Sequence, residues 1–428
     1  MVRGPPTGQR GGHSVTAGRE VRSDQRAWMD RASKLAGYTV SSNIIWSRGA
    51  EPQEDRSMTI NAHVGLDVHK NSIFVAFTPG DGRRAQALGQ IPNDLTRLLK
   101  KLRPLGDPSE VRICYEAGPT GYGLCRRLLE LGYDCKIVAP AKTPSISGDR
   151  VKTDRRDALK LADFLATGHL TFIRPPSEKE EALRDLIRAR EDLKIKETNT
   201  KRQLNSMMLR HSRIFSKQNG GGKSYWTLKH LEWIDRQVFE HEASNLAKES
   251  YVEEFRRLRE RIEQLDLRIA EIATVMERAD LIHALQAFKG IKVLTAATIV
   301  AEVGDLRRFP TAKQFASFLG LTPSENSSGE TRNRGSITKA GNRRLRRMLV
   351  ESAWAYWRSP HISRELTARS EGVSEAVRAV TWKAQSRLHR RLKSLQHRHV
   401  PMKKALIAVT RELACAIWAV GQEEALTA

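Results

Sequence analysis

Residues 63–77 read HVGLDVHKNSIFVAF, and these two apolar runs are the clearest structural signal in the 428-residue chain. Residues 63–68 and 72–77 are rich in β-branched and aromatic side chains, and the polar pair Lys70-Asn71 lies between them. Such a pattern predicts two antiparallel strands joined by a tight turn. The first strand closes on an acidic residue, Asp67.

The segments that follow alternate between strand and helix patterns. Further strands are predicted at residues 85–91, 111–115 and 135–138. Helices are predicted between and after them, at residues 94–102, 118–131 and 153–166. Asn93 or Asp94 can cap the first of these helices and Thr153 the last. Alternation of this kind predicts an α/β domain over residues 58–175.

The remainder of the chain is predicted to be helical. Apolar residues recur at helical spacing on both sides of Gly220-Gly221-Gly222, and those from Val252 to Met276 run close to a heptad rhythm. Residues 176–285 are therefore predicted to form a helical hairpin or coiled-coil arm that could dimerise, with packing on its own chain as the alternative. Residues 286–420 are predicted to be a mainly helical domain with a helix-hairpin-helix-like element. Residues 1–57 lack periodicity and are predicted to be a disordered or weakly ordered extension.

The charge of the chain indicates a nucleic-acid partner. Lysine and arginine number 73 against 49 aspartate and glutamate residues, which gives a formal net charge of +24 and a pI of about 10.2. Residues 332–358 hold eight basic residues and one acid, and residues 376–404 hold nine basic residues and no acid. This clustering favours nucleic-acid binding over a merely soluble basic protein. No apolar run approaches the roughly 20 residues of a spanning helix, so we predict a soluble, cytoplasmic, nucleoid-associated protein without membrane contact.

Four acidic residues end predicted strands or open a predicted helix: Asp67, Glu116, Asp154 and Asp157. The last two are three residues apart, so they share one helical face and can point toward the strand ends. Convergent carboxylates repel one another unless a divalent cation neutralises them, and oxygen ligands favour Mg²⁺ or Mn²⁺. We predict a metal site for phosphodiester chemistry. Taken singly, Asp154 could instead interact with the helix dipole, and Asp157 could pair with a neighbouring arginine. A further acid on the same helix, Asp163, is predicted to face solvent.

A polar loop far downstream, SENSSGE at residues 324–330, offers a hydroxyl nucleophile. Ser327 and Ser328 are candidates, because a serine can attack phosphate when a base or metal activates it and cations stabilise the developing charge. The cations after the loop are predicted to bind nucleic acid: Arg332, Arg334, Lys339, Arg343, Arg344, Arg346 and Arg347. The alternative is that the serines only turn the chain while the arginines bind phosphate.

Three motifs stand in the order of a known family. They are GLDVHK at residues 65–70, YEAGPTG at residues 115–121 and KTDRRDA at residues 152–158, followed by a block from Gly290 to Gly341. In these motifs the chain resembles the IS110/IS1111-type transposases, relatives of the Piv DNA invertases. The resemblance covers about residues 60–420, and the N-terminal extension is the one departure.

The resemblance implies a fold, a mechanism and partners. It implies a RuvC-like, RNase H-type N-terminal domain in which the four acids named above form a DEDD metal set. It implies a catalytic serine ahead of a glycine, which best matches Ser328, with the adjacent Ser327 as the alternative. It further implies a homodimer or homotetramer that joins donor and target DNA through a transient covalent link, guided by a structured bridge RNA.

Three functions are compatible with these residues. The first is a transposase or recombinase. The second is a RuvC-like structure-specific DNA endonuclease, in which water replaces the serine as nucleophile, or a site-specific DNA invertase. The third is a basic nucleic-acid scaffold whose acids only form ion pairs.

Overall fold

The computed structural model describes residues 60–144, 153–216, 224–325 and 333–423. The first part of the chain contains these elements: β1 Ala62–Val68, β2 Ser72–Pro79, β3 Gln86–Pro92, α1 Leu95–Leu102, β4 Val111–Glu116, α2 Gly123–Glu130, β5 Asp134–Val138, α3 Asp154–Ala166 and β6 Phe172–Ile173. The second part contains these: α4 Glu178–Arg210, α5 Leu228–Asp235, α6 Glu242–Thr274, α7 Ala279–Leu285, α8 Val293–Val303, α9 Ala312–Phe318, β7 Pro323–Glu325, β8 Arg334–Ile337, α10 Arg343–Ala353, α11 Arg364–Arg369, α12 Glu375–His397 and α13 Met402–Val420. The two parts are separate compact units, divided after Pro176. The predicted extension of residues 1–57 lies outside the described residues.

The first unit is built on one mixed sheet of six strands, in the order β3-β2-β1-β4-β5-β6. Strands β1, β2 and β3 pair antiparallel, whereas β4 runs parallel to β1 and β5 runs parallel to β4. The predicted hairpin is confirmed, since Val68 of β1 pairs with Ile73 of β2. Because β1 and β4 are parallel neighbours, their ends, which carry Asp67 and Glu116, lie at the same edge of the sheet.

Helix α3 packs directly on strand β1, because the residues at the contact are small. A Cβ atom added to Gly65 would lie 2.3 Å from the Ala158 carbonyl oxygen and 2.5 Å from the Ala162 nitrogen. Ala158 and Ala162 are themselves fully buried. Because Gly65 has no side chain, the backbone of α3 can approach the strand closely. This contact brings the start of α3, with Asp154 and Asp157, to the sheet.

Replacing Gly65 by alanine should push α3 away from the sheet. The two closest atoms that the new methyl group would meet belong to the main chain, and the third, Leu161 Cβ at 2.9 Å, is bonded directly to it, so no side-chain rotation can relieve the clash. We expect the free energy of unfolding, measured with urea, to fall by about 1–3 kcal/mol. Gly123→Ala is the matched control in the same unit, because nothing lies within 4 Å of a Cβ atom there. Equal stability of the two variants would contradict this contact.

The second unit has a large helical core to which the ends of both long helices contribute. Buried residues of α7 to α13 form most of this core. Helices α4 and α6 share successive apolar clusters: Ile187 with Ile269, Leu193 with Leu258, and Leu204 with Val252. The residue numbers run in opposite directions, so the two helices are antiparallel, as the predicted helical hairpin requires. Dimerisation through this arm stays a prediction, and Gly220-Gly221-Gly222 lies outside the described residues.

The helix boundaries agree better with the capping and turn residues than with the apolar pattern of the sequence. Asp94, not Asn93, caps α1 by accepting the Arg97 N–H. Thr153 caps α3 as predicted. Helix α2 begins five residues later than residue 118, because the preceding turn places Gly121 at a φ of +70°. Among the described helices, none combines the length and apolar character needed to cross a bilayer.

Candidate active site

Asp67 and His69 lie where strand β1 ends. Side chains two residues apart along a strand project to the same face. The His69 Nε2 atom lies 3.2 Å from the Asp67 Oδ2 atom. The Asn93 amide donates to the His69 carbonyl oxygen at 2.8 Å and so holds the turn that follows. This pair is therefore positioned by the β1–β2 hairpin.

Helix α3 brings a second carboxylate to the same edge. Asp154 is the first residue of this helix, and its Oδ1 atom lies 3.6 Å from His69 Nε2. One ligand atom from each of Asp67, His69 and Asp154 lies within 4.8 Å of the other two. Asp67 is half-buried and the other two are exposed. The three side chains therefore form an open group that solvent and a large substrate can reach.

The carboxylates at this edge influence one another electrostatically. Burial raises the pKa of Asp67 above its ordinary value, His69 acts in the opposite direction, and the negative charges of Asp154 and Asp157 raise it further. Asp157 is thus close enough for its charge to reach Asp67, although it is not one of the three clustered residues. A divalent cation at this point would offset both the repulsion and the lost solvation.

The donor set is chemically suited to such a cation. Two carboxylates supply the hard oxygen ligands that Mg²⁺ and Mn²⁺ prefer. The His69 imidazole lies within hydrogen-bonding distance of Asp67 and can fix the orientation of that ligand, as outer-shell groups do in metal sites.

Glu116 lies on the neighbouring strand but outside this group of three. Its Oε1 atom accepts a hydrogen bond from the Thr143 hydroxyl at 3.0 Å, and its side chain is exposed. The register pairs Leu66 with Tyr115, so Asp67 and Glu116 are the next residues along the two strands. The place of Glu116 among the metal ligands stays a prediction.

His69 is the site residue that sequence reasoning missed. Its spacing of two from Asp67, just after a predicted strand, was an available signal. Its approach to Asp154 was not, because that distance depends on how α3 packs across Gly65. Asp163 is exposed, as predicted, although its carboxylate also accepts a hydrogen bond from the Thr78 hydroxyl at 3.0 Å.

The predicted nucleophiles Ser327 and Ser328 lie outside the described residues, as does Arg332. The chain on both sides of them is described. Strand β7, which ends at Glu325, pairs antiparallel with β8, which begins at Arg334, and the two strands form a short hairpin. The Ser324 hydroxyl donates to the Ser336 carbonyl oxygen at 3.0 Å across this pair.

The base of this hairpin is seated tightly on the end of α9. A Cβ atom on Gly341 would lie 2.0 Å from the Phe318 carbonyl oxygen, and one on Gly320 would lie 2.3 Å from the Ala340 carbonyl oxygen. Both glycines have positive φ angles, of +109° and +66°. The close approach and the backbone conformation each require glycine here, so the base of the hairpin has a defined position against α9.

Comparison with known proteins identifies the family. One family model, described as "Transposase", matches residues 64–212, and another, described as "Transposase IS116/IS110/IS902 family", matches residues 282–368. A Sinorhizobium fredii protein named as transposase y4qE is 40% identical over 365 residues, which are 85% of this chain and 89% of that relative. The chain belongs to the IS110 family of insertion-sequence transposases.

Other relatives carry the same kind of name. The transposase for insertion sequence element IS1533 of Leptospira borgpetersenii is 30% identical over 354 residues, covering 82% of this chain and 100% of that relative. The transposase for insertion sequence element IS1111A of Coxiella burnetii is 23% identical over 246 residues, 57% of this chain and 65% of that relative. Members of this family cleave and rejoin DNA, so the chain is a DNA transposase.

Several basic side chains of helix α10 in this transposase form ion pairs or hydrogen bonds within the protein. Arg344 Nε lies 3.1 Å from one oxygen of Glu191, and Arg347 Nη2 lies 2.5 Å from the other. Arg346 Nη1 donates to the Leu319 carbonyl oxygen at 2.9 Å. These three predicted DNA contacts therefore already join α10 to α4 and to the end of α9.

Arg343 and Lys339 differ from these three. Both side chains are exposed, and neither forms an ion pair with any acid in the described part of the chain. Lys339 ends the hairpin at a φ of +55°, and Arg343 is the first residue of α10. Of the predicted cations whose side chains are described, they are the most available to a phosphate backbone.

Replacing Arg343 by alanine should weaken DNA binding and lower its salt dependence. For each phosphate that the protein no longer neutralises, the slope of log K against log salt falls by about 0.9. Fluorescence anisotropy titrations with duplex DNA at several salt concentrations measure this slope. Arg347→Ala, on the same helix, is the control, and we expect it to lower the thermal midpoint with a smaller change in slope. A larger slope change for Arg347→Ala would contradict the distinction.

Buried Glu302 ties the start of α10 to the arm of this transposase. Its side chain is 3% exposed, and Arg188 of α4 donates to both carboxylate oxygens at 3.0 Å. The Asn342 amide donates to the same carboxylate at 2.7 Å. Asn342 also caps α10 by accepting the N–H groups of Arg344 and Leu345. One carboxylate therefore orients the cap of α10, the helix that follows the β7–β8 hairpin.

Proposed function

We propose that this transposase divides its chemistry between two sites. In the first unit, Asp67, Glu116, Asp154 and Asp157 would hold Mg²⁺ or Mn²⁺. In the second, Ser328 of the hairpin loop would be the nucleophile, with Ser327 as the alternative. The observation that carries the proposal is the convergence of Asp67, His69 and Asp154 at one sheet edge, where Asp157 also affects the charge on Asp67.

The sheet supports a RuvC-like, RNase H-type fold for this unit. Three antiparallel strands are followed by two parallel ones, in the order β3-β2-β1-β4-β5, and the candidate ligands lie at the ends of the two central strands. Helix α3 completes the constellation from one face. We extend the proposal to four domains: an extension at 1–57, a RuvC-like domain at 58–175, a coiled-coil arm at 176–285 and a serine transposase domain with a helix-hairpin-helix-like element at 286–420.

The proposed reaction is a transesterification. The Ser328 Oγ atom forms a bond to phosphorus, the bond from phosphorus to the leaving strand oxygen breaks, and the serine proton passes to that oxygen. Attack by a strand hydroxyl then reverses the exchange and rejoins DNA. When bound, the metal would supply charge stabilisation at the phosphate. Lys339 and Arg343 would neutralise the DNA backbone near the loop, and His69 would keep Asp67 in its orientation.

The proposed partners are donor and target DNA and a bridge RNA, bound by a homodimer or homotetramer in the cytoplasm at the nucleoid. The net charge of +24 supports a polyanionic partner. The guide RNA and the oligomer rest on the family resemblance. Omitting the RNA from the reaction below tests the guide, and light scattering tests the oligomer.

A covalent protein–DNA adduct tests the serine. The chain is incubated with DNA carrying the ends of its element, a target duplex, the RNA from the element's non-coding end and Mg²⁺, and the products are resolved on a denaturing gel. We expect an adduct that is lost in Ser328→Ala and kept in Ser327→Ala. The reverse pattern would assign the reaction to Ser327. Cleavage that survives both substitutions would replace the proposal with an endonuclease in which water attacks.

A further inference from the structure

The second unit contains a cavity of about 520 Å³ that the proposed reaction does not use. It lies between α12, which contributes Arg378, Trp382 and Gln385, and the segment around α11, which contributes Ile362 and Leu366. Its volume falls within the range of about 300–1,000 Å³ typical of ligand sites. Ile362 and Trp382 are 54% and 44% exposed, so the cavity opens to solvent along these side chains.

Gln385 forms part of the wall of this cavity. Its side chain is almost completely buried, with 3% of the residue exposed. The Nε2 atom donates to the His361 carbonyl oxygen at 3.2 Å, which defines which end of the amide is nitrogen. The buried Oε1 atom finds no donor among the described residues. Because this oxygen has almost no accessible surface, a ligand in the cavity does not reach it, and the amide instead joins α12 to the segment around His361.

The other lining groups favour a flat, weakly polar ligand that is attached to an anion. Trp382 supplies an aromatic surface, and Ile362 and Leu366 supply apolar surface. Arg378 lies one helical turn before Trp382, is exposed, and forms no ion pair with a described acid. Glu371 also lines the cavity, and its negative charge is outnumbered there by the positive charges of Arg378 and Lys289. The Lys289 Nζ atom donates to the Ser359 carbonyl oxygen at 2.8 Å.

We propose that this cavity receives one unpaired nucleobase of a single-stranded nucleic acid. The base stacks on Trp382, and the adjoining phosphate lies beside Arg378. A base of a nucleic-acid strand combines a flat π-surface with a linked negative charge, as Trp382 and Arg378 require. Paired bases cannot enter, because their edges and faces are already occupied in the duplex. The pocket would thus separate single-stranded from duplex segments.

Stacking on Trp382 uses the face of the base, and every base has such a face. Arg378 would contact the phosphate, which is the same for every nucleotide. We therefore expect binding that depends on the presence of a base more than on its identity.

Binding of short oligonucleotides by the full chain tests the proposal without cleavage, in EDTA. The ligands are a fluorescent 12-nucleotide single strand, as DNA and as RNA, the same strands with a central run of abasic sites, and a duplex. Trp382→Ala should weaken binding of the single strands by about 5- to 100-fold, the loss expected for one stacked base. Duplex and abasic binding should change less than about twofold. The DNA and RNA arms show which strand type occupies the site.

Trp357→Ala is the matched control. Trp357 is 42% exposed, close to the 44% of Trp382, and lies in the same unit, but it contacts Lys393 and does not line the cavity. Equal losses in Trp382→Ala and Trp357→Ala, or equal losses for duplex and single strand, would overturn the proposal. Because no metal or serine chemistry is measured, the result does not depend on the proposed function.

Discussion

Asp67→Asn should abolish strand cleavage by this transposase while leaving DNA binding intact. The substitution removes the charge of a carboxylate that would bind a divalent cation, and one ligand atom of Asp67 lies within 4.8 Å of ligand atoms of His69 and Asp154. We expect cleavage to fall by at least about 10³-fold, equivalent to about 4 kcal/mol of transition-state stabilisation. The cleavage rate of element-end DNA on denaturing gels measures the effect, and anisotropy with the same DNA measures binding.

Asp163→Asn is the control for this prediction. It makes the same chemical change on an exposed carboxylate of α3, and the amide oxygen can still accept from Thr78. Its cleavage rate should stay within about twofold of that of the parent chain, whereas Asp154→Asn should behave like Asp67→Asn. EDTA should stop cleavage by the parent chain, and added Mn²⁺ or Mg²⁺ should restore it. Undiminished cleavage by Asp67→Asn would remove the carboxylate group from the mechanism.

Glu302→Ala should have the largest effect on stability. The change leaves Arg188 and the Asn342 amide without the carboxylate that both contact, and it opens space beside a buried helix. Removing one partner of a buried ion pair costs about 3–5 kcal/mol. Because Arg188 is 43% exposed and can regain water, we expect a value near the lower end, about 3 kcal/mol, in urea unfolding.

Two variants separate the buried contact from a general loss of negative charge. Glu351 lies on α10 and pairs with Arg347 at 3.6 Å, but it is 64% exposed. Glu351→Ala should therefore cost at most about 1 kcal/mol, as exposed ion pairs do. Glu302→Gln keeps an acceptor for Asn342 and should fall between the two. If Glu302→Ala and Glu351→Ala lose the same stability, the Glu302 network does not anchor α10.

The elements that could be predicted from sequence are those specified by local chemistry. The β1–β2 hairpin follows from two apolar runs and a polar turn, and α3 follows from the cap at Thr153. Helix α2 starts later than predicted, because Gly118 and Gly121 close a hydrogen-bonded turn in which Gly121 has a positive φ angle. Periodicity reports which face is apolar, and it says less about where a helix begins.

The arginines of α10 show the limit of charge counting. The number of these arginines indicated a nucleic-acid partner, and the family of the chain agrees, since it is a DNA transposase. Which of them are available could not be predicted, because Glu191, the partner of Arg344 and Arg347, is more than 150 residues upstream of both. Partner choice depends on distances of a few ångströms, and those arise only when α4 packs beside α10.

By itself, the sequence determined the family, the order of strands and helices, the basic character of the C-terminal region and the acids at the strand ends. Those properties are carried by residue type and by spacing along the chain. Only the tertiary structure decided that His69 lies between Asp67 and Asp154, that Glu302 orients the cap of α10, and that Ile362 and Trp382 line one cavity. Each of these depends on contacts between residues distant in sequence, because hydrogen bonds and ion pairs form only at short range after the helices and the sheet have packed.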